Sequence, residues 1–221
     1  MSPVWQEALR SHPFARKLGL SFDPAQLGEA LARVKEDWWK PHAGPYHDGG
    51  WECVAIWAPG GNLFEQRSFG APYAKTVAAL VAPHFWQVTE SFGCEKSRVR
   101  LMRLKAGAHI LRHSDPVHEI SSHLVRFHIP VSTNPDVHFL VNDMRVTMLP
   151  GEVWHVDVRF PHEVHNRGAT HRVHLVLDLV RNEAVDALMR AARPVGGGRL
   201  TGYYVKHSLA DPVKEYFGIG N

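Results

Sequence analysis

"HLVRFHIPVSTNPDVHFLVNDMRVTMLPGEVWHVDV" (123–158) decides the fold class. It breaks into the short runs HLVRFHIPV, VHFLV, MRVTM and EVWHVDV, parted by Asn134-Pro135, Asn142-Asp143 and Pro150-Gly151. Short runs rich in β-branched and aromatic residues, closed by such turn residues, read as strands. Asn142-Asp143 between two apolar runs predicts a tight hairpin, because both residue types tolerate the left-handed backbone that hairpin turns demand. Outward from this stretch the texture continues. SRVRLMRL (97–104) precedes it and HRVHLVLDLV (171–180) follows, with Ala106-Gly107 and Arg167-Gly168 as further turns. Short strands at even spacing predict a sandwich or barrel.

The flanks read differently. Ser2 as cap, Pro3 in the first turn and Trp5, Ala8 and Leu9 on one face predict an opening helix that Pro13 ends or kinks. PHAGPYHDGG (41–50) reads as a flexible loop, WECVAIW (51–57) as a strand and 58–72 as a loop. YAKTVAALVA (73–82) predicts a short helix stopped by Pro83. After Arg181, Asn182 serves as a cap for a helix with Val185, Leu188, Met189 and Ala192 on one face, ended by VGGGRL. The tail from Gly196 has no clear pattern. Its Tyr203, Tyr204 and Phe217 are expected to pack against the barrel. At 221 residues, one domain over 1–221 is the simplest organisation. In it, 1–95 supplies helical, loop and strand elements, 96–180 the β-roll core, and 181–221 a helix and tail.

Composition narrows the function. The net charge of +3 comes without lysine or arginine blocks, which argues against a nucleic-acid partner. No apolar run is long enough to span a bilayer, and MSPVWQEALRSH lacks a signal-peptide core, so a cytoplasmic location is expected. Cys53 and Cys94 are expected to stay reduced. Histidine is the outlier, at 16 residues, and it is the commonest metal-ligating side chain.

HILRHSDPVHE (109–119) concentrates that signal. In an extended segment, His113 and Asp115 share a face. A histidine from a distant strand would complete two imidazoles and a carboxylate, the facial set of non-haem Fe(II) oxygenases. His162, after the Phe160-Pro161 break, is the best candidate. Arg172, ten residues on, opens the last strong strand, and its planar fork suits a carboxylate. His109, His118, His138, His155, His165, His171 and His174 are read as solvated or supporting, Trp51 and Trp154 as core, and His47-Asp48 as loop. From the residues alone, His128 among Phe127, Ile129 and Val131 also fits a core histidine, and Arg126 an ordinary ion-pair partner.

His113-x-Asp115, His162, Arg172 and the segments VRFHIPV, PGEVWHVD and PHEVHN together resemble the aspartyl/asparaginyl β-hydroxylase family of Fe(II)- and 2-oxoglutarate-dependent oxygenases, which includes cis-proline hydroxylases. The likeness covers about 95–180, with a weaker echo at WECVAIW. It implies a double-stranded β-helix, a cupin-like jelly roll, mainly β with flanking helices. It further implies His113, Asp115 and His162 as iron ligands, Arg172 and His128 as 2-oxoglutarate-binding residues, and Arg126 as a substrate-carboxylate contact. Fe(II), 2-oxoglutarate and O2 are then the cofactors. The reaction is hydroxylation of an unactivated C–H bond of an amino acid or aspartyl/asparaginyl-type residue, with release of succinate and CO2. The animal protein-aspartyl hydroxylases carry glycine where this chain has Asp115, which draws it towards the free-amino-acid hydroxylases. The proline cis-4-hydroxylases carry a longer helical C-terminal region than the forty or so residues here. The alternatives are a cupin-like isomerase or hydrolase, and a non-catalytic 2-oxoglutarate-binding module.

Overall fold

The computed structural model describes residues 11–66, 72–115 and 123–200. The expected helix at 2–9, His118, and Tyr203, Tyr204 and Phe217 lie outside them. In chain order the elements are β1 (Ser11–His12), β2 (Ala15–Ser21), α1 (Pro24–Leu31), a single 3-10 turn (Glu36–Trp38), β3 (Lys40–Pro41), β4 (Trp51–Pro59), β5 (Tyr73–Lys75), α2 (Val77–Val81), α3 (Pro83–Glu90) and β6 (Lys96–Leu104). There follow β7 (His109–His113), β8 (Leu124–Ser132), β9 (Val137–Val141), β10 (Met144–Arg145), β11 (Glu152–Val156), β12 (His162–Asn166), β13 (Arg172–Val180), α4 (Glu183–Ala191), β14 (Arg193–Val195) and β15 (Gly198–Arg199).

Two antiparallel sheets face each other. The major sheet runs β14-β2-β11-β8-β13-β6-β4-β3, with β5 added on β4; the minor sheet runs β10-β9-β12-β7. The strand pattern predicted a sandwich or barrel, and the mainly β jelly roll is the form that the family resemblance implied. β1 and β15 form a separate pair.

The major sheet is buried on both faces, and the two faces differ in chemistry. Val125, Phe127 and Ile129 of β8, and Val173, Leu175, Leu177 and Leu179 of β13, join Leu27, Phe85 and Val185 of the helices in one apolar core. The alternate positions point into the roll. There the register sets Arg98 and Arg126 on either side of Asp178, Arg100 and His128 on either side of Val176, and Met102 and Pro130 on either side of His174. Side chains alternate faces along a strand, so polar residues at every second position of an otherwise apolar run line one buried surface. A second core, with Leu104, Ile110, Phe139, Trp154, Val156 and Val164, fills the space between the sheets.

Turns behave as their residues dictate. Asn142 and Asp143 have φ of 47° and 67°, and Met144 pairs with Val141 across them, as the hairpin reading expected. The Asn182 side chain accepts from Val185 N at 3.0 Å and caps α4.

Several expectations need correction. Ser11–His12 is strand, not the end of a helix. The 73–82 segment opens as strand β5, because Tyr73–Lys75 completes the edge of β4. Pro83 does not close the helical region. It occupies the first turn of α3, where a missing N–H costs nothing. MRVTM is strand only at Met144–Arg145. After α4, Arg193–Val195 returns as an edge strand on β2. Cys53 and Cys94 are both free and buried.

Candidate active site

Three segments converge between the sheets. β7 ends at His113, and β12 begins at His162, its direct partner in register. Asp115 follows β7 and is held by a backbone bond from its N–H to Val158 O at 2.8 Å. One ligating atom from each of His113, Asp115 and His162 lies within 4.8 Å of the others. His113 Nε2 is 3.6 Å from Asp115 Oδ1, and the two imidazole rings are 4.3 Å apart, centre to centre. His162 belongs to the minor sheet and Arg172 to the major one, so the two reach the cavity from opposite walls.

The backbone sets the imidazole tautomers. His113 Nδ1 lies 2.6 Å from Leu111 O and His162 Nδ1 lies 3.1 Å from Phe160 O. A carbonyl only accepts, so each Nδ1 carries the proton and donates. Each Nε2 is left with its lone pair facing the other ligands, which is the state a metal requires. Burial lowers the His162 pKa to about 4, so its ring is neutral near pH 7 without help.

Behind the triad lies a small cavity of about 40 Å³, lined by Trp51, Arg126, His128, Phe139, Val158 and Arg172, among others. Arg172 is 3% exposed, and its Nε has no hydrogen-bond partner. Among the described residues no carboxylate pairs with it, and burial alone pulls its pKa down to about 10. Among the described residues, neither ring nitrogen of His128 has a hydrogen-bond partner. Burial first, then the charges of Arg126 and Arg172, holds His128 neutral, well below the usual histidine range. A buried cation and a buried imidazole with nothing to bind are costly unless a ligand satisfies them. The donor set fits a divalent transition metal, and the orphaned groups fit an anion beside it.

Arg126 is placed differently. Its Nε donates to Asp178 Oδ1 at 2.7 Å, and a terminal nitrogen donates to Asp115 Oδ2 at 3.1 Å. Asp178 also accepts from Arg98 Nε at 3.0 Å and Arg100 at 3.1 Å. Arg126 thus spans from this cluster to the carboxylate of the triad. The loop 41–50 closes the near side and is ordered rather than loose. Tyr46 stacks on the His113 ring at 4.5 Å and 9°, and its carbonyl accepts from Leu111 N at 2.9 Å. His42 stacks on Trp51 at 3.6 Å.

A profile of the aspartyl/asparaginyl beta-hydroxylase family matches residues 26–182. The chain belongs to that family. Membership makes this aspartyl/asparaginyl β-hydroxylase homologue a 2-oxoglutarate-dependent hydroxylase by class. Among its relatives is an L-proline cis-4-hydroxylase of Rhizobium meliloti (strain 1021), 26% identical over 201 residues, which are 89% of this chain and 68% of that one. Among solved structures, the non-heme alpha ketoglutarate dependent carbocyclase SnoK from nogalamycin biosynthesis superposes with a TM-score of 0.53 at 10% identity, over 92% and 95% of the two chains. A Pseudomonas putida prolyl-4-hydroxylase has a TM-score of 0.48 at 16% identity, over 81% and 97%. The SnoK likeness concerns the fold alone.

For the aspartyl/asparaginyl β-hydroxylase homologue, the structure brings together all six residues singled out in the sequence: His113, Asp115, His162, Arg172, His128 and Arg126. It adds Asp178, Arg98, Arg100 and Tyr46, which sequence reasoning passed over, and Trp51, which was read as core and lines the cavity. Arg98, Arg100 and Asp178 left a signal in the period-two placing of charges within apolar strands. Tyr46 left none.

Proposed function

We propose that this protein hydroxylates an unactivated C–H bond of a small amino acid or related carboxylate, using Fe(II), 2-oxoglutarate and O2, with His113, Asp115 and His162 as the iron ligands. The observation that carries this reading is Arg172, a buried guanidinium that has no counter-charge among the described residues, on the wall opposite a His-Asp-His set. 2-Oxoglutarate has two carboxylates, one for a metal and one for such a cation. Bound iron would supply the oxidising chemistry once cosubstrate and dioxygen are present.

The chain's own groups do the positioning. His113 and His162 present lone pairs because their Nδ1 protons are committed to backbone carbonyls. Asp115 supplies the anionic ligand and is aimed by Arg126. Arg172 would hold the distal carboxylate of 2-oxoglutarate, and His128 would donate to the proximal one. Phe139, Val158 and Val164 exclude water from the same space. The guanidinium row at Arg126 and Arg100 is the place for a substrate carboxylate, and orientation there fixes which carbon is attacked. The relative that acts on free proline supports a free amino acid over a protein side chain. We take 1–221 as one oxygenase unit with its roll at 96–180.

The test is a turnover screen over amino acids and short peptides, read by succinate formation and a mass gain of one oxygen. A coupled signal is expected for at least one free amino acid, and Asp115→Ala is expected to lower it at least about 100-fold. Wild-type turnover in that variant would remove Asp115 from the ligand set. Tight 2-oxoglutarate binding without succinate formation across the panel would favour a binding module.

A further inference from the structure

The solvent face of the minor sheet carries a second convergence of ligating atoms. Along β12, His162, Val164 and Asn166 are buried, so Glu163 and His165 project from the opposite face. His165 pairs in register with His109 of β7, and the two rings stack at 3.8 Å. Glu163 Oε2 lies 3.1 Å from His165 Nε2 and 3.5 Å from His109 Nε2, and one ligating atom from each of the three residues falls within 4.8 Å of the others. Ligands about 2.05 Å from a tetrahedral ion stand roughly 3.3 Å apart, so these spacings bracket the expected value.

A hydrogen bond from His165 to Glu163 accounts for one edge of this cluster. It accounts less well for His109 Nε2, which is shielded from water and reaches Glu163 Oε2 only at 3.5 Å, too far for a good hydrogen bond. Arg112 supports the far side of the carboxylate. It lies 3.4 Å from Glu163 Oε1 while its main partner is Asp143 at 2.7 Å, so Oε2 stays turned towards the imidazoles.

We propose that His109, Glu163 and His165 form a second divalent-metal site, outside the roll and independent of the triad within it. Two imidazoles and one carboxylate suit zinc, cobalt or nickel. An ion there ties β7 to β12, the two strands that deliver His113 and His162. Its first effect is therefore on the stability of that strand pair.

Cobalt(II) titration of the full chain under argon tests this, with bound metal counted by equilibrium dialysis and followed by visible absorption. Two equivalents are expected for wild type and one for H109A/H165A. Equal stoichiometry in the two proteins would overturn the proposal. If the inner triad were wrong instead, the counts would be one and none, a different pattern. As a second measurement, zinc is expected to raise the thermal midpoint of wild type by roughly 5 °C more than that of E163Q. The same rise in both would count against Glu163 as a ligand.

Discussion

Asp178, at 1% exposed, takes hydrogen bonds from three arginines and through Arg126 reaches the carboxylate of the triad. Removing its charge strands guanidiniums in a low-dielectric interior, and breaking a buried pair typically costs about 3–5 kcal/mol. Asp178→Asn is therefore expected to lower stability by about that amount in a urea melt. It should also slow turnover, since Arg126 no longer has an anchor from which to aim Asp115. Arg172 gives a cleaner chemical test. Arg172→Ala is expected to raise the 2-oxoglutarate KM far more than Arg172→Lys, because lysine keeps the charge and loses only the fork. Equal KM values in a cosubstrate titration of all three proteins would refute the carboxylate role. At this scale the sequence was legible where spacing encodes geometry. His113 and Asp115 are two apart on an extended segment, and Arg172 opens a strand. Asp178 was illegible because nothing local distinguishes a carboxylate that neutralises arginines 52, 78 and 80 residues away from one in solvent.

The elements repeat that division. β8 and β13 were readable because period-two alternation and tight turns are local properties. β2 was not. Its buried residues Ala15 and Leu18 break the alternation, and its register against β11 shifts between Glu152 and Trp154. The pattern belongs to the pair and not to the strand. Helices α1 and α3 are eight residues each, too short for a period to show, and they form because their apolar faces cover the major sheet. The turn into β11 gives the prediction at this scale. Gly151 sits at φ 81°, and a Cβ there would lie 2.1 Å from Phe22 O. That carbonyl cannot retreat freely, because Phe22 N donates to Gly151 O at 2.8 Å. Gly151→Ala is expected to cost at least about 2 kcal/mol in a denaturant melt, with iron-independent loss of the β2–β11 pairing.

For the molecule as a whole, lining the interior with imidazoles sets a limit in acid. His128 and His174 are both buried and held neutral chiefly by desolvation, well below the usual histidine range. A histidine whose folded pKa is depressed contributes stability above its unfolded value near 6.5, and loses it as pH falls below that value. Proton uptake by the unfolded chain at pH 5.5 then costs about 1.4 kcal/mol for each such histidine. The thermal midpoint is expected to drop between pH 7.5 and 5.5, and His174→Leu should flatten part of that slope. An unchanged slope in the variant would mean that His174 takes a proton inside the fold.

The stacking of Tyr46 on His113 has an evolutionary corollary. The cap over the reactive cavity is donated by ten residues, 41–50, that hold none of the proposed iron or cosubstrate ligands. Insertions, deletions or exchanges in that short stretch can reshape the doorway while the oxidising machinery stays as it is. New specificities on this scaffold should therefore arise at the rim before they arise at the hearth, and grafting the 41–50 segment between homologues is the direct way to move a substrate preference.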